Sequence, residues 1–214
     1  MAPFAHSASD EVGKSLVMAL TDCSALTSLR PEILQGIFRN YRPVVQDQAE
    51  ALYKLLAAST EKQKNKMEEL LALLPGGDIR RGQSVFNSQK AACTTCHGFG
   101  YVGGNIGPDL TKIGGIRTER DLLEAIVFPS ASFVRSYEPV VVTTKAGKTF
   151  AGTIRPGRPD EVVLALNAKE TAHIPRDEID EMVPGTVSIM PAGLDQQLSS
   201  QELVDLITFL KSAK

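Results

Sequence analysis

The segment that most constrains the fold is the pentapeptide Cys93-Thr94-Thr95-Cys96-His97. In this CxxCH sequence two thiols stand two residues apart, and an imidazole follows directly. The two thiols can reach the two vinyl groups of one porphyrin while the next side chain is held under the iron. The motif therefore predicts one covalently attached haem c, bound through Cys93 and Cys96, with His97 as an iron ligand.

Two other chemistries use a cysteine pair at this spacing. A thioredoxin-like dithiol would lie at a strand-to-helix turn of a βαβ unit, which the sequence around Cys93 does not predict. A zinc site needs two further ligands, but only Cys23, His6 and His173 remain, and none is paired at ligand spacing. The leftover Cys23 is interpreted as a small buried hydrophobic residue, with an intermolecular disulfide as the alternative.

Charge and hydropathy favour neither a nucleic-acid partner nor a membrane partner. The 214 residues include 23 basic and 25 acidic side chains, and the net charge of -2 provides no broad basic face and no polybasic anchor. No apolar run is long enough to span a bilayer, so membrane insertion is not expected. The N-terminal residues also lack the pattern of a secretory signal.

The N-terminal segment, residues 1–77, is predicted to be helical. Apolar residues recur at helical spacing from Ser9 to Leu74, beginning with Val12 and Leu16. Pro31 suits a first helical turn and Pro43 interrupts the pattern, so about four antiparallel helices are expected. No residue in this segment forms a recognisable chemical motif.

Helix signals of a different kind mark a second unit, residues 78–214. Asp78 is predicted to cap a helix that runs from Ile79 to about Lys90. Two later helices begin at capping-box patterns, formed by Thr118 with Asp121 and by Ser199 with Glu202.

The hydrophobic period changes between residues 138 and 187. Short β-rich runs are separated there by turn residues, which predicts four or five strands. Because helix signals resume afterwards, we interpret this stretch as a β insertion with a barrel-like or sandwich-like fold. It is expected to cover one haem edge or to form a homodimer contact.

Residues 78 to 212 resemble class I cytochromes c. Their first helix is similar to GDIRRGQSVF, in which Gly82 and Phe86 stand where that helix crosses the last one. The loop under their haem is similar to IGPDL. Their distal-ligand loop is similar to SIMPAG. The order of these motifs around a β insertion is similar to the haem-binding domain at the C-terminus of large planctomycete and verrucomicrobial proteins. Residues 1–75 weakly resemble the α-solenoid repeats that often precede that domain. The fold expected is therefore mainly α, a class I cytochrome c fold interrupted by a β unit.

The resemblance implies two further site residues. The Pro108 carbonyl would accept a hydrogen bond from the far nitrogen of His97, and Met190 would be the sixth iron ligand. His173 and Met182 remain as rivals for that position. The glycine-rich segment 98–104 is expected to lie close to the porphyrin edge, where side chains would be excluded.

A haem with both axial positions filled by the protein predicts a carrier of single electrons rather than an enzyme. The expected partner is a periplasmic dehydrogenase or another redox protein, and the expected location is the periplasm, because haem is attached covalently outside the cytoplasm. Met1 is accordingly interpreted as an introduced or processed start. The alternatives are a haem sensor or peroxidase-like domain with a displaceable sixth ligand, and a structural domain in which haem is incidental.

Overall fold

The structure is a computed structural model that describes residues 4, 7, 9–23, 26 and 31–214. The chain divides into two compact units, Met1–Lys66 and Met67–Lys214. His6, named among the candidate zinc ligands, lies outside the described residues. None of the helices in the described ranges is both long and apolar enough to cross a membrane.

The described part of the first unit is helical. Its helices are α1 (Asp10–Thr21), α2 (Pro31–Phe38) and the part of α3 (Pro43–Leu73) up to Lys66. Pro31 begins a helix, as the sequence predicts, and Pro43, which is predicted to interrupt the helical pattern, begins the next helix. Val12 is 37% exposed, whereas the neighbouring Gly13 is buried. Glycine is required at position 13 because a side chain there would collide with Tyr41. The core contains mostly aliphatic side chains together with the aromatic ring of Phe38; the aliphatic residues include Leu16, Leu20, Leu34, Ile37, Val45 and Leu52.

Cys23 corrects one prediction, because its side chain is exposed and not buried. The helix that precedes it ends at Thr21, so Cys23 lies in the connection and not on the buried face of α1.

The helices of the second unit are α4 (Ile79–Phe86), α5 (Cys93–Cys96), α6 (Ile113–Ile116), α7 (Glu119–Val127), α8 (Leu194–Gln197) and α9 (Ser200–Ser212). Helices α4, α7 and α9 begin where the local sequence predicts, whereas the sequence does not predict the short helices α5, α6 and α8. The Asp78 side chain accepts a hydrogen bond from the Arg81 amide, and both predicted capping boxes are present at Thr118 and Ser199. Helix α4 ends at Phe86, before the predicted Lys90, and Asn87 is its C-cap.

Helices α4 and α9 cross at very short range. A Cβ atom on Gly82 would lie 2.0 Å from the Asp205 carbonyl oxygen, so only glycine fits at this crossing. Phe86 and Phe209 pack beside it, with ring centroids 5.5 Å apart. This crossing agrees with the expectation for Gly82 and Phe86.

The N-terminal boundary of the second unit differs from the predicted residue 78. Met67 and Leu70, which belong to the end of α3, are buried in the same core as Phe86, Leu123 and Leu206. The boundary therefore falls at residues 66 and 67, since these two apolar side chains pack with the helices of the second unit.

A five-stranded antiparallel sheet separates α7 from α8 along the chain. Its strands are β3 (Pro139–Thr144), β4 (Thr149–Arg155), β5 (Glu161–Ala165), β6 (Thr171–Pro175) and β7 (Ile179–Pro184), in the spatial order β6-β5-β4-β3-β7. The predicted β unit is thus present, with its own small core around Val142, Leu164 and Ile174.

The sheet is strongly curled but does not close into a barrel. Pro175 and Ile179 belong to opposite edge strands, yet the chain between them spans at most about 14 Å. The edges of a flat five-stranded sheet would be about 19 Å apart, so the sheet must bend to bring these ends together. No ladder joins β6 to β7, so the unit that was expected to be barrel-like or sandwich-like is one open sheet and not a closed barrel.

Candidate functional site

The CxxCH motif forms a single helical turn at the surface of the second unit. Ala92, directly before it, has a left-handed backbone with φ of 51°. The turn is closed by the His97 amide, which donates to the Cys93 carbonyl at 2.9 Å. This turn places Cys93, Cys96 and His97 around one cavity.

The loop after the motif folds back onto it. The Gly104 amide donates to the Thr94 carbonyl at 2.8 Å, and the Gly107 amide donates to the Cys96 carbonyl at 2.8 Å. Two short strands, β1 (Gly98–Phe99) and β2 (Val102–Gly103), form a hairpin that the sequence pattern did not predict.

Two glycines of this loop lie close to the backbone of the motif. Cβ atoms on Gly103 and Gly104 would lie 2.1 Å from the His97 carbonyl oxygen and 2.3 Å from the Thr95 carbonyl oxygen. Residues 98–104 do not line the cavity. Glycine is required here because the loop packs against the motif's own backbone.

The His97 ring is fixed by the loop that follows it. Its Nδ1 atom lies 2.8 Å from the Pro108 carbonyl oxygen, which is the hydrogen bond that the resemblance implies. Gly107 lies against the same ring, since a Cβ there would be 2.4 Å from His97 Cε1. With Nδ1 donating to Pro108, Nε2 is left as the ring nitrogen with a lone pair.

Burial shifts the pKa of each of the three motif side chains in the direction that favours its uncharged form. It lowers the pKa of His97, and the Pro108 carbonyl only partly opposes this effect. It also raises the pKa of Cys96 and raises the pKa of Cys93 to about 11. Neutral imidazole is the form that binds metal, whereas protonated thiols are poor nucleophiles for disulfide exchange.

A cavity of about 520 Å³ adjoins the motif. This volume is within the usual range of about 300–1,000 Å³ for sites that hold small molecules and cofactors. Much of its wall is apolar, as a porphyrin requires. The apolar residues include Ile106, Leu110, Ile113, Leu122, Phe133 and Leu194.

The rivals for a second iron ligand occupy different places. Met190 lines the cavity together with His97, although the two residues are far apart in sequence. Met182 lies on β7 and is 46% exposed. His173 lies on β6, where its Nδ1 is 3.1 Å from Glu161 Oε2, and its side chain is 60% exposed. Neither Met182 nor His173 lines the cavity.

Part of the cavity wall belongs to the inserted sheet. Asn167 and Ala168, in the turn between β5 and β6, line the cavity together with His97. The Asn167 side chain stabilises this turn, because its Oδ1 accepts hydrogen bonds from the amides of Lys169 and Glu170. The sequence identified this turn only as a break between strands.

The segment after helix α7 also contributes wall residues that the sequence did not assign. Pro129, Phe133 and Tyr137 line the cavity. Pro129 ends the helical pattern and is followed by an aromatic residue in a loop, which is the sequence signal that could have identified them.

Across the described ranges, no group of three or more His, Cys, Asp or Glu side chains is arranged to hold a metal ion. The zinc alternative therefore gains no further ligand of these types. The donor set at the cavity fits haem instead: two thiols, an imidazole with one free nitrogen and a thioether surround an apolar space. No protein-family model matches the chain, and no curated protein matches it with significant similarity.

Proposed function

We propose that this chain is a monohaem c-type cytochrome that transfers single electrons. One observation carries the proposal: Cys93, Cys96, His97 and Met190 line the same cavity, although Met190 is separated from the motif by an entire β-sheet unit. The second unit would accordingly be a class I cytochrome c fold with an insertion.

Covalent attachment follows from the chemistry of the two thiols. Cys93 and Cys96 would each hold the haem through a carbon–sulfur bond to one vinyl group, with the thiol hydrogen passing to the neighbouring vinyl carbon. Electrons balance in this addition without an external oxidant or reductant. Cys93 and Cys96 belong to one helical turn. Both bonds would therefore attach the haem to the same short stretch of backbone.

His97 and Met190 would both hold the iron. The Pro108 carbonyl fixes the tautomer in which His97 Nε2 can bind metal and makes that nitrogen more basic. The Met190 thioether is a neutral, soft ligand, and the apolar wall disfavours additional charge, so both favour the reduced state. When bound, the haem supplies reversible one-electron chemistry at its iron.

With both His97 and Met190 bound to the iron, the protein would exchange electrons with a partner and not bind small ligands. The partner proposed is a periplasmic dehydrogenase, either as a separate protein or as another domain of the same chain. The site itself is proposed to be matured in the periplasm, where haem attachment takes place.

The attachment test compares cysteine variants matured in the periplasm of a host that makes c-type cytochromes. The parent and Cys23→Ala are expected to retain one haem per chain after denaturation and acid-acetone extraction. The double variant Cys93→Ala/Cys96→Ala is expected to lose it. Mass spectrometry and the haem absorbance of the denatured protein measure both results. Covalent haem in the double variant would refute the proposal.

The ligand test uses three matched substitutions. Met190→Ala is expected to abolish the sulfur-to-iron charge-transfer band of the oxidised protein, to lower the potential and to admit carbon monoxide to the reduced protein. Met182→Ala and His173→Ala are expected to match the parent. If Met190→Ala keeps the band while either control loses it, Met190 is not the ligand, and a ligand-binding sensor becomes the better description.

A further inference from the structure

Two serines on either side of the inserted sheet hold the backbone that carries Met190. Ser130 lies after helix α7 and before the sheet, whereas Ser188 follows β7. The Ser188 amide donates to Ser130 Oγ at 3.0 Å, and the Met190 amide donates to Ser188 Oγ at 3.1 Å. The two hydroxyl oxygens thus satisfy two backbone N–H groups of one short loop.

These hydrogen bonds matter because the loop has no regular secondary structure. Residues 185–193 lie between β7 and α8, outside any strand or helix. Ser188, Ile189 and Met190 are half-buried, so an unpaired amide there would be partly shielded from water. The serine hydroxyl oxygens therefore hold the backbone of a loop that would otherwise adopt several conformations.

One of the two serines lines the cavity, and the other is next to a residue that does. Ser188 and Met190 line it, and Ser130 follows Pro129, which also lines it. The Ser130–Ser188 bond joins positions that are 58 residues apart in the chain. The position of Met190 is consequently tied to the end of helix α7 as well as to the sheet.

We propose that Ser130 and Ser188 are positioning residues that hold Met190 in place for binding to the iron. The proposal rests on the proposed function, in which Met190 is the sixth ligand. Groups that orient a metal ligand commonly change metal affinity about 10- to 100-fold when removed. Each serine here acts on the backbone and not on the sulfur atom, so a smaller effect of about two- to ten-fold is expected, as for one lost hydrogen bond.

The experiment measures how easily imidazole displaces Met190 in the oxidised full-length holoprotein. Ser130→Ala and Ser188→Ala are expected to increase the apparent affinity for imidazole about two- to ten-fold and to weaken the sulfur-to-iron charge-transfer band. Ser130→Thr and Ser188→Thr keep the oxygen atom and are expected to restore parental values. Ser84→Ala is the matched control, because Ser84 Oγ donates only to the Arg80 carbonyl on an exposed helix surface.

A purely structural role predicts another result. If the alanine variants lower the denaturation midpoint but retain the parent's imidazole affinity and charge-transfer band, the positioning role is refuted. If Met190→Ala keeps the band, the ligand assignment fails and this proposal fails with it. If Met190→Ala loses the band while both alanine variants match the parent, only the serine proposal fails.

A second measurement applies if the alanine variants do not mature. Hydrogen exchange of the parent holoprotein is expected to show slower exchange for the Ser188 and Met190 amides than for the amide of the exposed Val187. Equal rates at the three positions would mean that the serine hydrogen bonds are not maintained in solution, and this would overturn the proposal.

Discussion

Asp205 accepts two hydrogen bonds from the guanidinium of Arg81, one from Nε at 2.6 Å and one from Nη2 at 2.8 Å. The same buried carboxylate accepts from the Asp78 amide and from Gln201 Nε2. Asp205 therefore links the N-terminus of helix α4 to helix α9. This link lies beside the close crossing of the two helices at Gly82.

Replacing Asp205 with Asn should destabilise the second unit by about 2 kcal/mol, because bonds to a charged partner are lost while the site stays buried. Urea unfolding monitored at the haem would measure the change. Glu68→Gln provides the control, since the Arg120–Glu68 pair is exposed on both sides and should contribute less than about 1 kcal/mol.

The stability difference between the parent and Asp205→Asn should depend on pH. The hydrogen bond from Arg81 lowers the pKa of Asp205 despite its burial. Because the folded-state pKa lies below the unfolded one, the stabilisation is complete above about pH 5 and disappears as the pH falls below about 4. A difference in unfolding free energy that stays constant from pH 7 to pH 3 would contradict this mechanism.

Gly107→Ala should disturb His97, the proposed iron ligand, without touching the cysteines proposed to attach the haem. The new methyl group would lie 2.4 Å from His97 Cε1, so the ring must move and its bond to Pro108 must weaken. We expect haem to remain attached while the low-spin spectrum is partly lost. Gly115→Ala is the control, because a Cβ there meets nothing within 4 Å. A parental spectrum for Gly107→Ala would show that the His97 ring tolerates the displacement.

Ala168→Glu tests whether the inserted sheet forms part of the haem environment. A carboxylate in the turn that lines the cavity should stabilise the oxidised iron and lower the reduction potential by roughly 30 mV. Ala146→Glu adds the same charge to the exposed β3–β4 turn, which does not line the cavity, and should have a much smaller effect. Equal shifts in the two variants would indicate only the change in net charge.

Deleting residues 138–187 and joining the ends with a short linker should leave a low-spin haem, because Ser130 and Ser188 are both retained. The hydrogen bond from the Gly185 amide to the Pro139 carbonyl shows that the ends of the insertion already lie close together. Loss of the Ala168 turn should increase solvent access and change stability or oligomeric state. Absorbance, unfolding and size-exclusion measurements would compare the deletion protein with the parent. A deletion protein that matches the parent in all three would remove any role for the insertion.

Features determined by neighbouring residues could be predicted from the sequence. The capping boxes at Thr118 and Ser199 depend on side chains three residues apart, and the strands between them follow from a local period. The CxxCH motif is equally local. Such features are predictable because the hydrogen bonds or the burial pattern that define them are contained in a few consecutive residues.

Features that depend on distant packing could not be predicted in the same way. The end of α3 has apolar residues suitable for either unit, and only the tertiary structure shows that Met67 and Leu70 pack with the second core. Ala168 has no chemical character that would identify it as a cavity residue. Likewise, the glycines after His97 indicate that the loop approaches another group closely. The sequence alone does not say whether that group is a cofactor or the backbone of the motif.

The bond between Ser130 and Ser188 has a consequence for the order in which the site forms. Cys93, Cys96, His97 and Pro108 are close along the chain, so their arrangement requires little loop closure. Met190 reaches the cavity only when Ser130 and Ser188, which are 58 residues apart in the chain, have come together. Contacts between residues so far apart in sequence generally form late in folding. Attachment and final ligation would therefore be separate events, with the sheet folding between them and determining when the iron becomes inaccessible to other ligands.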